Sequence, residues 1–301
     1  MHRDLIAHPH IASFSAFLLF AFFAAYFLGR WNAVRVNIPG RHIDNQALLL
    51  VVCGLFGARF FSWLFYFPPG TNFWKAMTAV EGGLVFYGGV IFSVLAVIGY
   101  GVWSRISLAR VAEVWAAPIA LGLGIGRVGC FMAGCCWGDV CMPTEHASLI
   151  ADSVTRRQIL SIPLLSSSGF PLALRFPAGT GAYDQHRELG LISENAASSL
   201  PVHPAQLYEA CLVLVLAIAV QRKFLRESQI AFRSFALGYG VIRFLVEFVR
   251  ADNPPIYVGL TLSQVISLGF VAFALCSSTL ARSEKKSAQT CACADLQEET
   301  D

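Results

Sequence analysis

The sequence predicts an all-α, polytopic membrane protein with about seven transmembrane helices. Hydrophobic residues make up 56% of the 301 residues, charged residues make up only 14%, and the mean hydropathy is +0.60. This composition is typical of a multispanning membrane protein and not of a soluble domain. The net charge of +3 is too small to indicate nucleic acid as a partner. The apolar composition makes the lipid bilayer the expected environment.

Seven apolar segments follow one another along the chain. They cover residues 11–29, 46–67, 84–103, 108–126, 205–221, 231–249 and 256–280. Most are near the length of about 20 residues that a helix needs to cross ~30 Å of hydrocarbon. Because the number of crossings is odd, we expect the two termini to lie on opposite sides of the membrane.

The basic residues of the short loops predict which side each terminus occupies. Twelve of them fall on one side: Arg30, Arg35, Arg41, Arg105, Arg110, Arg222, Lys223, Arg226, Arg233, Arg282, Lys285 and Lys286. Three fall on the other side: Arg3, Lys75 and Arg250. Cytoplasmic loops carry the excess of Lys and Arg, so we expect the N-terminus outside and the C-terminus in the cytoplasm.

The domain organisation follows from loop length and composition. Residues 1–281 are expected to form one membrane domain, which includes a long external loop over residues 139–204. A loop of this length in a compact domain is usually either functional or disordered. Residues 282–301 are polar, and we expect them to form a disordered cytoplasmic tail.

Four ionisable residues interrupt the apolar segments. Arg59 stands in GLFGARFFSW, Arg127 in GIGRVGCFMAGCCWG, and the last two, Arg243 and Glu247, in YGVIRFLVEFVR. A guanidinium at the centre of a spanning helix costs about 2.5–3.5 kcal/mol on insertion scales. Glu247 lies four residues after Arg243 and is expected to pair with it and orient its guanidinium. Two arginines are then left over, which predicts an anionic ligand.

Three glycines near Arg127 match a dinucleotide-binding pattern, G-x-G-x-x-G: Gly124, Gly126 and Gly129. No strand precedes them and no βαβ unit surrounds them, so we reject nucleotide binding. Two other roles fit glycines in a membrane helix. They allow a helix break that frees backbone N–H groups for a phosphate beside Arg127, or they allow two backbones to approach closely.

Four cysteines fall within twelve residues: Cys130, Cys135, Cys136 and Cys141. Their spacing lacks the paired C-x2-C of a typical zinc site, so a metal is the least favoured interpretation. A structural disulfide, inert packing thiols and a catalytic thiol are the alternatives, and a disulfide is permitted on the outer side of a bacterial membrane. Three further cysteines lie in apolar runs and are expected to be small buried hydrophobes: Cys53, Cys211 and Cys276.

Four sequence blocks, taken in order, resemble the prolipoprotein diacylglyceryl transferase family. They are EGGLVFYGGV (81–90), GIGRVGCFMAGCCWG (124–138), HPAQLYEA (203–210) and YGVIRFLVEFVRADN (239–253), and LTLSQVIS (260–267) follows them. The resemblance implies a bacterial inner-membrane enzyme of lipoprotein maturation. Such an enzyme moves a diacylglyceryl group from phosphatidylglycerol to the lipobox cysteine of a preprolipoprotein and releases glycerol 1-phosphate. The implied partners are phosphatidylglycerol, preprolipoprotein signal peptides and the bilayer, with no metal and no cofactor.

The resemblance also implies roles for individual residues, because an arginine can bind the phosphodiester of phosphatidylglycerol bidentately. Arg127 matches the family's signature arginine, and Arg243 and Glu247 match its second conserved pair. The residues expected to be catalytic are Tyr87, Arg127, Arg243, Glu247 and Tyr239. The residues expected to contact substrate are Arg127, Arg243, Gly138, Cys130, Cys135, His203 and Tyr208.

The chain departs from the family's pattern where a proton acceptor is expected. The family's Phe-His-Gly-Gly block reads FYGG over residues 86–89, so Tyr87 replaces a histidine. Cys130 and Cys135 replace an asparagine and a glutamate of the second block. Tyrosine's reference pKa of about 10 leaves only on the order of 0.1% phenolate at neutral pH. Three acceptors stay open: Tyr87 with a pKa lowered by arginines, a thiolate of Cys130 or Cys135, and His203.

These substitutions leave two alternatives to the family's reaction. One is a related phospholipid-dependent transferase with a different acceptor. The other is a catalytically silent phospholipid-binding membrane protein that keeps the arginines and lacks the base.

Overall fold

A computed structural model describes the chain over residues 4–6, 11–68, 70–78, 85–141, 172–227, 230–251 and 259–277. Near the N-terminus, β1 (Asp4–Ile6) pairs antiparallel with β2 (Ile11–Ala12). The remaining regular structure within the described residues is helical. The tail predicted over residues 282–301 lies outside the described residues.

Seven helices overlap the seven predicted apolar segments, which confirms the all-α, polytopic fold. They are α1 (Ser13–Arg35), α2 (Gly40–Tyr66), α4 (Phe86–Trp103), α5 (Leu108–Ala133), α7 (Ala205–Arg226), α8 (Ala231–Val246) and α9 (Leu262–Ser277). Two short helices, α3 (Phe73–Thr78) and α6 (Gly181–Glu188), lie between them. By length and composition alone, α1, α2, α4 and α5 are able to cross a membrane. The other three are shorter or carry more charged residues.

The helices bury small side chains and expose large apolar ones. In α5 the buried residues include Ala116, Ala117 and Ala120, whereas Leu19 and Phe20 on α1 are 58% and 62% exposed. Large apolar side chains are mostly buried in soluble proteins, and small residues are typical of contacts between membrane helices. The exposed apolar surface is therefore the surface that faces lipid.

Two of the three glycines of the GIGRVG run, Gly124 and Gly129, serve helix packing, whereas an added Cβ at Gly126 would meet nothing within 4 Å. α5 continues without a break past Arg127, so the predicted helix break, and with it free backbone N–H groups beside this arginine, is wrong. An added Cβ at Gly124 would lie 2.7 Å from the side chain of Leu214 on α7. One at Gly129 would lie 2.9 Å from Phe17 on α1. The alternative interpretation, close approach of neighbouring helices, is confirmed for Gly124 and Gly129.

Neighbouring helices run antiparallel, so their ends lie at two opposite ends of the bundle. α1 runs antiparallel to α5, α5 to α7, α7 to α8 and α8 to α9, and α2 runs antiparallel to both α1 and α4. At one pole, which we call the site end, the C-terminal ends of α2, α5 and α8 meet the N-terminal ends of α1, α4, α7 and α9. The other pole we call the opposite end.

Polar side chains join the helices at the opposite end. Asn32 on α1 and Gln221 on α7 are joined by two side-chain hydrogen bonds of 2.8 and 3.2 Å. Glu113 on α5 accepts hydrogen bonds from the backbone N–H groups of Ala231 and Phe232, at 2.7 and 3.2 Å. A carboxylate at this position satisfies free N–H groups at the start of α8 and complements the helix dipole.

The loop after α5 is described over residues 134–141 and 172–204, and the latter part packs over the end of α5. Phe176, Ala182 and Val202 are fully buried and pack against Phe131 and Trp137. The described part is therefore an ordered structure with its own small core, and it covers the site end beside α5.

Candidate anion-binding and catalytic site

Arg127 forms the first of several buried ion pairs at the site end. It lies in the last two turns of α5, and Glu209 lies in the second turn of α7. Arg127 Nε is 3.0 Å from Glu209 Oε2, with side chains that are 18% and 2% exposed. A carboxylate buried this deeply needs a cation beside it. The pair therefore fixes both side chains and joins the two helices.

Arg243 brings α8 into the same cluster. Its Nη1 is 3.6 Å from Glu209 Oε2, and its Nη2 is 2.9 Å from Glu247 Oε2. The ion pair expected from the four-residue spacing of Arg243 and Glu247 is therefore present. Two hydroxyl groups at the start of α9 bind this ion pair. The Ser263 hydroxyl accepts a hydrogen bond from Arg243 at 2.9 Å, and the Thr261 hydroxyl donates one to Glu247 at 2.7 Å.

Glu209 is the site residue that the sequence analysis missed. It lies within an apolar run, in the HPAQLYEA block, and this is the same signal that drew attention to Glu247. Glu209 pairs with two arginines, and Glu247 is in turn 3.8 Å from Arg250 Nε. Among the described residues of this cluster, three guanidinium groups therefore share two carboxylates. Counted over these described residues alone, one positive charge is in excess, which is fewer than the two that the sequence indicated.

Arg59 has a different position from the other arginines in apolar runs. It lies on α2, where its Nε donates to the carbonyl of Ala76 in α3 at 3.0 Å. Its guanidinium carbon is 6.0 Å from the centre of the Phe67 ring. These described contacts hold the short helix α3 against α2.

Tyr239 faces the ion-pair cluster from α8, one turn before Arg243. Its ring stacks on Phe235, with the ring centres 5.6 Å apart. Its phenol lies within interaction distance of Arg127, Arg243 and Glu209. The structure therefore brings together four of the five residues expected to be catalytic. They are Arg127, Tyr239, Arg243 and Glu247.

Tyr87, the fifth, lies apart from this cluster on α4. It is the second residue of the helix, is 40% exposed and makes its ring contact with Phe86. Its hydroxyl forms no hydrogen bond with any residue that the structure describes. The next residue, Gly88, is required by packing, since an added Cβ there would clash with the carbonyl oxygen of Gly57 and lie 2.6 Å from Phe61 Cβ on α2. The role of Tyr87 as proton acceptor stays a prediction.

His203, Tyr208 and Gly138 form the junction between the loop and α7. His203 is buried, and its Nδ1 is 3.3 Å from the Tyr208 hydroxyl. Its carbonyl accepts a hydrogen bond of 2.9 Å from the Gly138 N–H. An added Cβ at Gly138 would lie 2.5 Å from the same carbonyl oxygen, so packing requires glycine there. Contact of these residues with substrate stays a prediction.

Comparison with known proteins decides what kind of protein carries this site. A family model described as prolipoprotein diacylglyceryl transferase matches residues 5–279. The chain belongs to the prolipoprotein diacylglyceryl transferase family. It is 30% identical over 283 residues to a phosphatidylglycerol–prolipoprotein diacylglyceryl transferase of Xanthomonas oryzae pv. oryzae (strain PXO99A), which covers 88% of this chain and 85% of the relative. A protein of the same name from Xanthomonas campestris pv. campestris (strain B100) is 30% identical over 286 residues, with the same coverage.

Family membership and the spanning helices together make this chain a multi-pass protein of the bacterial inner membrane. In this member of the transferase family, three cysteines gather where the family's asparagine and glutamate are expected. The Sγ atoms of Cys130, Cys135 and Cys136 all lie within 4.8 Å of one another. Arg127 Nη1 is 4.0 Å from Cys130 Sγ, so the thiol group adjoins the ion-pair cluster.

The structure contains no disulfide between any two of the described cysteines of this transferase. Cys141 is buried and does not belong to the group of three. Burial, together with the nearby Asp139, raises the pKa of Cys141 to about 11, so it is a protonated packing thiol at neutral pH. Cys211 and Cys276 are exposed on the outer surface of the helices, so their predicted burial is wrong.

Proposed function

We propose that this chain transfers a diacylglyceryl group from phosphatidylglycerol to the lipobox cysteine thiol of preprolipoproteins and releases glycerol 1-phosphate. The observation that carries the proposal is the cluster of three guanidinium groups and two carboxylates at the site end. Ionised groups inside membrane helices are costly and usually mark a substrate pathway or a reaction centre. The relatives' shared name supports the same substrates.

The geometry of the arginines supports binding of a phosphodiester. Arg127 is held through its Nε by Glu209, and its side chain is still 18% exposed, so part of the guanidinium is accessible to a ligand. Arg243 Nη1 is buried and forms no hydrogen bond within the described residues, where its ion-pair partner Glu209 lies 3.6 Å away. Buried polar atoms normally have a partner, and an anionic phosphate oxygen is the natural partner for a guanidinium nitrogen.

The two carboxylates act as positioning residues in this proposal. Glu209 touches both arginines, and Glu247 holds Arg243 from the other side while Thr261 donates to its second oxygen. Guanidinium groups that are fixed before the reaction need no reorganisation when charge develops on the substrate. The carboxylates also reduce the cost of burying the cations.

In the proposed reaction, the acceptor thiol loses its proton and its sulfur attacks the glyceryl carbon next to the phosphate. The carbon–oxygen bond breaks, and glycerol 1-phosphate leaves with the bonding electrons. Arg127 and Arg243 stabilise the negative charge of the leaving group, and this kind of electrostatic stabilisation is usually the largest catalytic contribution. Tyr87 is the proposed proton acceptor because it stands at the family's histidine position, with Cys130, Cys135 or His203 as the alternatives.

We infer that the site end faces the periplasm, with the N-terminus periplasmic and the C-terminus cytoplasmic. Support comes from the count of basic residues in the short connections predicted from the sequence, twelve on one side of the membrane against three on the other, with the long loop over residues 139–204 left out of the count. A topology reporter fused after Arg226 is expected to read cytoplasmic, and one inserted after Gly190 is expected to read periplasmic. The reverse pair of readings would contradict the orientation.

Complementation of a bacterium depleted of its own transferase tests the function directly. The wild-type chain is expected to restore growth and to attach phosphatidylglycerol-derived lipid to a lipoprotein reporter, whereas Arg127→Ala is expected to do neither. Blots of the membrane fraction must show equal amounts of both proteins. Failure of the wild type, at normal levels and with correct insertion, would contradict the proposal and favour another acceptor or a silent lipid-binding protein.

A further inference from the structure

Three thiols converge at the end of α5. Cys130 lies in the last turn of the helix, and Cys135 and Cys136 follow it. Their Sγ atoms all lie within 4.8 Å of one another, and each residue is only partly buried. Sequence spacing alone does not predict this group, because its formation depends on how the chain turns after the helix.

The turn that gathers the thiols is fixed by its backbone. Gly134 ends α5 in the left-handed conformation, with φ 70° and ψ 28°, and its N–H caps the last turn. Cys136 also has a positive φ of 62°, which is unusual for a residue with a side chain. Gln206 on α7 donates to the Cys135 carbonyl at 2.7 Å. A non-glycine residue kept in a costly conformation is more frequent at functional sites than elsewhere.

Three sulfur atoms at this separation suit one small class of ligand. Thiolates select soft cations such as Cu(I) and Zn(II). With metal–sulfur bonds of about 2.3 Å, three sulfurs around one ion lie about 4 Å apart, which modest side-chain rotations achieve from the observed positions. Three thiolates around a monovalent or divalent ion also leave net negative charge. Arg127, whose Nη1 is 4.0 Å from Cys130 Sγ, supplies a compensating positive charge.

We propose that Cys130, Cys135 and Cys136 form a three-thiolate site for a thiophilic d10 cation, Cu(I) or Zn(II). Each thiol gives its proton to solvent as its sulfur binds the ion, and no oxidation or reduction occurs. Cu(I) accepts three sulfurs as a complete coordination shell, whereas Zn(II) requires a fourth ligand such as water. The site adjoins the ion-pair cluster through Arg127, but the proposed transfer reaction needs no metal, and an ion bound to these thiolates would leave Tyr87 or His203 as its proton acceptor.

Metal titration of the purified full-length protein tests this site. The protein is held in detergent with its thiols reduced and oxygen excluded, and it is titrated with Cu(I) or Zn(II) against a chromogenic chelator of that ion. One ion is expected to bind per chain, and X-ray absorption is expected to show a coordination shell with three sulfurs. The Cu(I) form is expected to show an all-sulfur shell, and the Zn(II) form is expected to show three sulfurs with one oxygen or nitrogen ligand.

Variants separate this site from other thiols. Cys136→Ala is expected to weaken binding by at least about tenfold, as loss of a ligand does. Cys211→Ala, which removes an exposed thiol on α7, is the matched control and is expected to bind as the wild type does. Cys291 and Cys293 form a C-x-C pair in the C-terminal tail, so a chain with both replaced by serine is the second control. Unfolding temperatures confirm that each variant is folded.

The outcomes divide clearly. Loss of the ion in Cys136→Ala and retention in both controls would establish the site. Absence of stoichiometric binding of either ion to the wild type would overturn the proposal. Loss of binding in the chain without Cys291 and Cys293, with retention in Cys136→Ala, would overturn it as well and assign the ion to the tail. Each result is independent of whether the chain transfers lipid.

Discussion

Charge is handled differently at the two ends of the helix bundle. At the opposite end, Arg30 pairs with Asp44 through side chains that are 43% and 41% exposed. At the site end, the paired side chains of Arg127 and Glu209 are only 18% and 2% exposed. Exposed pairs contribute little to stability, and buried pairs are often no more stabilising than apolar residues of the same size. The buried cluster is therefore explained by function and not by stability.

The largest expected effect concerns the most exposed arginine of the buried cluster. Arg127→Ala removes a guanidinium that the proposal places against the phosphate, and the rate of lipid transfer is expected to fall by on the order of 100-fold or more. Binding of anionic phospholipid vesicles should weaken with it, while membrane insertion is retained. Arg30→Ala at the opposite end is the matched control. Full transfer activity of Arg127→Ala would remove the main functional difference between the two ends.

The second expected effect tests whether the site extends beyond the ion pairs to α4. Tyr87→Phe removes one hydroxyl and keeps the ring against Phe86, so the fold should not change. Transfer is expected to fall by on the order of 100-fold, a typical contribution of general acid–base catalysis. The check is the pH dependence of kcat/KM in both proteins. If Tyr87→Phe keeps full activity, the proton acceptor is one of the cysteines or His203 instead.

Features within one sequence segment could be predicted, whereas contacts between distant segments could not. The seven helices follow from the lengths of apolar runs, and Arg127, Arg243 and Glu247 are visible because a charge in such a run is unusual. The contact between Arg127 and Glu209 joins two helices far apart in sequence and depends on tertiary packing. The glycine run is ambiguous for the same reason, since the unbroken course of α5 and the contacts of Gly124 with Leu214 and of Gly129 with Phe17 are visible only in the structure.

Backbone conformation set a second limit on prediction. The C-x4-C-C spacing argues against a typical zinc site, yet the left-handed residues Gly134 and Cys136 bring three sulfurs together. A left-handed glycine at a helix end is a common pattern. A left-handed cysteine two residues later has no sequence signature, so the group of thiols becomes visible only in the structure.

The third expected effect is a loss of stability when a carboxylate of the buried cluster at the site end is replaced. Glu209→Ala leaves the guanidinium groups of Arg127 and Arg243 buried without the carboxylate that they share, and removal of one partner of a buried ion pair typically costs about 3–5 kcal/mol. The thermal unfolding temperature in detergent should therefore fall markedly. Glu209→Gln keeps one oxygen acceptor and should lose less. Equal unfolding temperatures for wild type and both variants would show that Glu209 does not hold the arginines in place.

The smallest expected effect completes the comparison at the opposite end. Asp44 accepts hydrogen bonds from Arg30 and from the Tyr26 hydroxyl, the latter at 2.9 Å. In Asp44→Asn the amide oxygen can still accept from both groups, and the lost charge was solvent-exposed and screened. Lipid transfer and the unfolding temperature are therefore expected to stay within experimental error of the wild type, in parallel assays with Glu209→Gln. A loss in Asp44→Asn as large as that in Glu209→Gln would show that exposure does not separate functional from incidental charge in this bundle.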